Sequence, residues 1–136
     1  MECLASQRSL PARVGGEDLH MREMKTAQLI GPALDWAVAQ IEGETKHVQF
    51  SALPSSQHYY APSRKWAQGG PLIDGLDGFE LKIWMQSRPG LKCEAHIHNY
   101  DGDWIAFGPT PLIAAMRCLV ASKLGDTVQI PSELIQ

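Results

Sequence analysis

The stretch Gly108-Pro-Thr-Pro-Leu-Ile-Ala-Ala-Met-Arg-Cys-Leu-Val-Ala-Ser-Lys-Leu-Gly125 carries its own helix start and stop. Thr110 can accept a hydrogen bond from an unpaired N–H of the first turn. Pro111 fits the first helical position, where its missing N–H costs nothing, and Gly125 falls where a left-handed C-terminal residue is wanted. On a helical wheel Leu112, Ile113, Met116, Leu119, Val120 and Leu124 share one broad arc. Ala114, Ala115, Cys118, Ala121 and Ser122 form a small-residue back, with Arg117 at the edge of the arc. A helix apolar almost all round is a buried one. The large arc is expected to face a sheet. The small back leaves room for a second backbone, either another helix or a second copy of the chain.

Working upstream, Phe79 to Met85 alternates with a period of two and predicts a strand with Phe79, Leu81, Ile83 and Met85 inward. Ser87 to Gly90 reads as a turn. Leu91, Cys93, Ala95 and Ile97 then point inward on a second strand, and Asn99 to Gly102 turns into a third over Asp103 to Phe107. This antiparallel meander leads straight into the long helix. Earlier still, Gly31-Pro32 opens a helix over 32–42 that Gly43 closes, with Leu34, Ala37, Val38 and Ile41 on one face. Trp36 lies nearly opposite that stripe and is expected to cover a loop rather than meet another subunit. His47 to Leu53 predicts a short strand. From Pro54 to Gly78 the chain is rich in Pro, Gly, Ser and aromatics without a period, too long for a plain connector, so specific packing or function must order it.

These elements predict an α+β fold of two layers, an antiparallel β-meander of three or four strands packed against two helices. The order also brings the double-stranded-RNA-binding arrangement to mind, a topological likeness that carries no function by itself. Residues 1–23 lack apolar periodicity and are expected to be a disordered N-terminal extension, with 24–136 forming a single domain.

Composition narrows the function classes. The chain has 136 residues, 44% hydrophobic and 20% charged, with a net charge of -3, so nothing draws it globally to nucleic acid or to an acidic membrane. No run approaches the length of a membrane span, and the default location is the cytoplasm. Cys3, Cys93 and Cys118 are an odd and widely spaced set, which argues against a disulfide framework or a zinc knuckle.

The segment Tyr59-Tyr-Ala-Pro-Ser-Arg-Lys-Trp-Ala-Gln-Gly-Gly-Pro-Leu-Ile73 is the second informative stretch. Pro62, Ser63, Trp66, Ala67, Gln68, Gly69, Gly70, Pro71, Leu72 and Ile73, together with the 108–125 helix, resemble the NinX-like family of small phage and prophage proteins. Arg64-Lys65 brings more charge than the family pattern. The resemblance spans about residues 24–136 and implies a phage accessory protein working in the bacterial host cytoplasm. It implies a setting near phage replication and recombination functions, not an activity.

Read from the residues themselves, the adjacent glycines expose N–H groups, Gln68 offers donor and acceptor, and Trp66 supplies a flat apolar face. The competing reading makes Gly-Gly-Pro a tight turn, with Trp66 plugging the core and Gln68 tying down loop backbone. Tyr60, Ser63, Arg64, Trp66, Gln68, Gly69, Gly70 and Arg117 are the candidate ligand- or partner-binding residues. Arg117 is expected either to face an anion or, as the favoured reading, to pair with an Asp or Glu at the core edge. His58, Tyr59, Tyr60, Arg64, Lys65 and Trp66 interleave aromatics and cations as a single-strand stacking platform does.

His96-Ile97-His98, with Asp101 and Asp103 behind, has metal-ligand composition, but alternation also makes it a solvated strand face. The second reading is adopted, so no metal ligand is assigned. No catalytic constellation and no cofactor motif is present: no Gly-x-Ser-x-Gly elbow, and no cysteine with a histidine that the sequence places beside it. The expected function is therefore a non-enzymatic protein-interaction module with a phage or host protein partner, and a homodimer is also expected. Nucleic-acid binding through residues 58–66, or a small ligand held at Trp66, Gln68 and Arg117, are the alternatives.

Overall fold

A computed structural model of the chain describes residues 13–14, 17–18, 20–43, 60–83 and 93–135. In chain order the elements are β1 (Arg13–Val14), β2 (Glu17–Asp18), β3 (Met21–Lys25), α1 (Gly31–Glu42), α2 (Trp66–Asp74), β4 (Phe79–Ile83), β5 (Cys93–Asn99), β6 (Gly102–Gly108), α3 (Pro111–Leu124) and β7 (Thr127–Pro131). Short 3-10 turns occupy Thr26–Gln28 and Ser132–Leu134. The expected strand over 47–53, the turn at 87–90, and Cys3, His58, Tyr59 and Met85 lie outside the described residues.

The helix ends follow their sequence signals. The Thr110 hydroxyl accepts from the Ile113 N–H at 3.1 Å, capping α3, and Gly125 closes it through its N–H on Ala121 O. Gly125 has a positive φ of 99° but an extended ψ, so it ends the helix without the left-handed cap conformation expected for it. Gly43 does adopt that conformation after α1, with φ 78° and its N–H on Ala39 O.

The meander is present as an antiparallel sheet in the order β4-β5-β6. Its register sets Ile97 opposite Phe79 and Trp104, and His98 opposite Asp103. A second antiparallel pair, β3-β7, joins Met21 to Pro131 and Lys25 to Thr127. The fold is therefore α+β. Met21–Glu23, which the sequence reading puts in the extension, belong to this strand pair, because the ladder with β7 takes up their backbone groups. Helix α2 and the β3-β7 pair are additions to the helix–meander–helix order of α1, β4-β5-β6 and α3.

Helix α3 is enclosed: every residue from Leu112 to Val120 is buried. Its orientation reverses the expectation. Ala114 and Cys118 meet the sheet, in a cluster with Cys93, Ala95, Ile97 and Ala106. Ile113, Met116, Leu119 and Val120 instead join Leu34, Ala37 and Val38 of α1 and Val128 and Ile130 of β7 in the main core. The cause is volume. The inner face of β5 and β6 is mostly small, so the helix backbone comes down onto it, and a Cβ at Gly108 would sit 2.8 Å from Ala114 N. Large side chains fit only on the opposite side.

Two positions expected inward, Ile83 and Leu124, are exposed; each is the last residue of its element. Trp36 is half-buried and packs against the main core. Substituting Ala114→Leu should force helix and sheet apart and cost about 1–3 kcal/mol or more of unfolding free energy. Urea denaturation checks this, and a loss below a few tenths of a kcal/mol would contradict the close contact.

Candidate functional site

A fully buried carboxylate organises the 60–73 segment. Asp35, on α1, has no exposed surface. Its Oδ1 accepts from the Ser63 backbone N–H at 2.8 Å, and its Oδ2 accepts from Arg64 Nη2 at 3.0 Å. Buried charge is tolerable only with such bonds. Burial pushes the Asp35 carboxyl above its ordinary value of 3.8, against the opposing pull of the Ser63 bonds and the Arg64 guanidinium.

The turn that Asp35 grips is tied a second time. The Arg64 and Lys65 N–H groups both donate to Ala61 O, at 3.0 and 2.8 Å. Gln68 then reaches back so that its Oε1 accepts from the Ala61 N–H at 2.5 Å. Gln68 ties down loop backbone, as one sequence reading has it.

The Trp-Ala-Gln-Gly-Gly-Pro run itself is helical, not a tight turn. Two glycines and a proline are poor helix formers, so packing must supply what propensity withholds. Gly69 shows how. A Cβ there would lie 2.4 Å from Pro62 O and 2.7 Å from Leu112 Cδ2, so α2 touches the turn and α3 only because position 69 has no side chain. Leu72 and Ile73 pack on the main core. At Gly70 a Cβ would meet nothing within 4 Å.

This scaffold holds Trp66 at the first turn of α2 with 56% of its surface exposed. It does not plug the core. Arg64 precedes it by two residues, its side chain 39% exposed and bound to Asp35. Tyr60 packs against the main core and Ser63 is buried. Of the candidate residues in this segment, Tyr60, Ser63, Gln68 and Gly69 build the scaffold, while Trp66 is what it presents.

Arg117 belongs elsewhere. Its Nε donates to Leu29 O and its Nη1 to Phe107 O, both at 2.8 Å, and burial lowers its pKa. No carboxylate among the described residues pairs with it, which corrects the expected ion pair. Two carbonyl oxygens serve instead because the guanidinium spans the gap between the segment before α1 and the edge strand β6. It lines a groove of about 500 Å³ with Lys25, Thr26, Ile105, Phe107 and Asp126, and none of residues 60–70 contributes to that groove.

The histidine pair lies on the outward face of the sheet. His96 hydrogen-bonds Asp103 through Nε2, and His98 Nδ1 is 3.3 Å from the same Oδ1. The His96 bond, with support from His98, holds the Asp103 carboxyl below the usual carboxylate range. Cys118 is inert by contrast: burial pushes its thiol up to about 11, and its Sγ donates to Trp104 O.

Asp35 is the residue the sequence reading missed. It falls about a sixth of a turn beyond Val38, outside the apolar stripe of α1, so the wheel does not mark it as buried; the structure does, and a buried carboxylate has to be answered by a partner from elsewhere.

The described residues thus form an α+β fold that displays Trp66 from a doubly tied turn and a glycine-seated helix. No helix among the described residues is long and apolar enough to cross a membrane. The family described as Bacteriophage P22, NinX matches residues 25–123, and the chain belongs to it. No curated protein gives a significant match. The protein is accordingly a phage accessory protein.

The two adjacent glycines should separate cleanly in mutagenesis. Gly69→Ala should cost about 1–3 kcal/mol through overpacking, whereas Gly70→Ala should be neutral or gain up to about 1 kcal/mol from helix propensity. Equal effects in thermal or urea unfolding would contradict the seating of α2.

Asp35 makes a second prediction, with a defined sign. A pKa raised on folding gives stability that is full below the unfolded value of 3.8 and declines as pH rises through the folded value. The stability advantage of the wild type over Asp35→Asn should therefore grow as pH falls from neutral into mild acid. An advantage that shrinks toward acid would show that the ion pair with Arg64 outweighs burial.

Proposed function

We propose that this phage protein is a non-enzymatic protein-interaction module in the host cytoplasm, and that Trp66 is its anchor for a phage or host protein partner. One observation carries the reading. A segment fixed by a buried carboxylate, a glutamine tie and a glycine contact leaves its largest apolar side chain 56% exposed. Rigid backbone under an exposed indole lowers the entropy lost on binding, and Trp is among the residue types enriched at interface hot spots. The indole brings a large apolar area, and Arg64, two residues before it, is tied to Asp35 in the same turn.

The test is a tagged pull-down from phage-infected cells, split into nuclease-treated and untreated halves, with wild type and Trp66→Ala compared. A partner that survives nuclease and is lost with Trp66→Ala supports the reading. Because Trp66 contributes little to the core, that variant should keep its unfolding free energy within about 1 kcal/mol. Capture that depends on nucleic acid, or that ignores Trp66, overturns it.

A further inference from the structure

We propose that His96, His98 and Asp103 form a surface site for a borderline divalent transition metal of the Zn²⁺ class, with coordination positions left open to solvent. The site is independent of the Trp66 reading and shares no residue with it.

The backbone sets the arrangement. His96 and His98 are two apart on β5 and so leave the sheet on one face, opposite the buried Cys93, Ala95 and Ile97. The antiparallel register places Asp103 of β6 directly across from His98. One ligand atom from each of the three lies within 4.8 Å of the others. The imidazole rings are tilted at 57° with centroids 5.9 Å apart, so their nitrogens converge on the carboxylate rather than stack.

The donor chemistry selects the ion. Zinc binds histidine nitrogen and carboxylate oxygen at about 2.0–2.2 Å, which in a tetrahedron puts neighbouring ligand atoms roughly 3.3 Å apart. His98 Nδ1 already stands 3.3 Å from Asp103 Oδ1, and an ion entering the site replaces the direct His96–Asp103 hydrogen bond, with side-chain rotation opening that contact. Two imidazoles suit Zn²⁺, Co²⁺ or Ni²⁺, while Mg²⁺ and Ca²⁺ want oxygen donors.

Exposure decides the kind of site. The side chains of His98 and Asp103 are 74% and 57% exposed, so three protein ligands leave a position for water or for a donor brought by another molecule. Glu80 of β4 pairs in register with His96 and lies on the same face of the sheet. The competing reading is a histidine–aspartate hydrogen-bond network on the solvated face, and metal binding separates the two.

Titration calorimetry of the full chain with Zn²⁺ in metal-free buffer tests the site, alongside Co²⁺ titration followed by visible absorption. The expected result is one ion per chain. His98→Ala and Asp103→Asn, both exposed positions that should fold normally by circular dichroism, should each weaken binding by at least about tenfold. Mg²⁺ should give no comparable binding. Absence of Zn²⁺ binding would overturn the proposal and leave the cluster a histidine–aspartate hydrogen-bond network. Binding unchanged in both variants would overturn it equally, by placing the ion on other residues.

Discussion

Enclosure of α3 is the constraint on which the rest of the structure depends. A helix buried from Leu112 to Val120 must find partners on all sides, and its two kinds of surface fix which partner goes where. The small side accepts a sheet whose inner residues are themselves small, and the large side fills the space under α1 and beside β7. Arg117 is the charge that α3 itself carries into this arrangement. Its guanidinium is answered by two backbone carbonyls, one ahead of α1 and one on β6, so the exception to apolarity also joins the two halves of the fold.

The site is built on the same foundation. Leu112 of α3 is one of the two surfaces against which Gly69 is seated, and α1 supplies Asp35. The 60–73 segment is therefore held by both core helices, which allows a sequence with poor helix propensity to form α2 and to keep Trp66 in place. The sheet's outer face carries a separate, polar chemistry with the histidines. The two features share no residue.

Much of the fold was legible because its signals are local. The caps at Thr110 and Gly43, the alternation through Cys93, Ala95 and Ile97, and the Asn99–Gly102 turn depend on neighbours in sequence, and each reads off the chain. What was not legible depends on distant residues. The facing of α3 turns on the small size of Ala95 and Ala106 on other strands. Helix α2 contradicts its own Gly-Gly-Pro composition and exists through Pro62, Ala61 and Leu112. Strand β3 needs β7, more than a hundred residues away, to complete its ladder. At the site, Trp66, Gln68 and the glycines were visible as a motif, but which of them build and which are displayed was not. Asp35, the residue that decides this, sits outside the motif.

The central claim is that Asp35 and Gln68 lock the backbone beneath an exposed Trp66. Site-resolved amide hydrogen exchange tests it most directly, read at Ala61 and Ser63, whose N–H groups donate to Gln68 and Asp35. The account predicts slow exchange at both in the wild type, and loss of protection at Ser63 in Asp35→Ala while the amides of α3 stay protected. Fast exchange at Ala61 and Ser63 in the wild type, at the rate of an open loop, would contradict it.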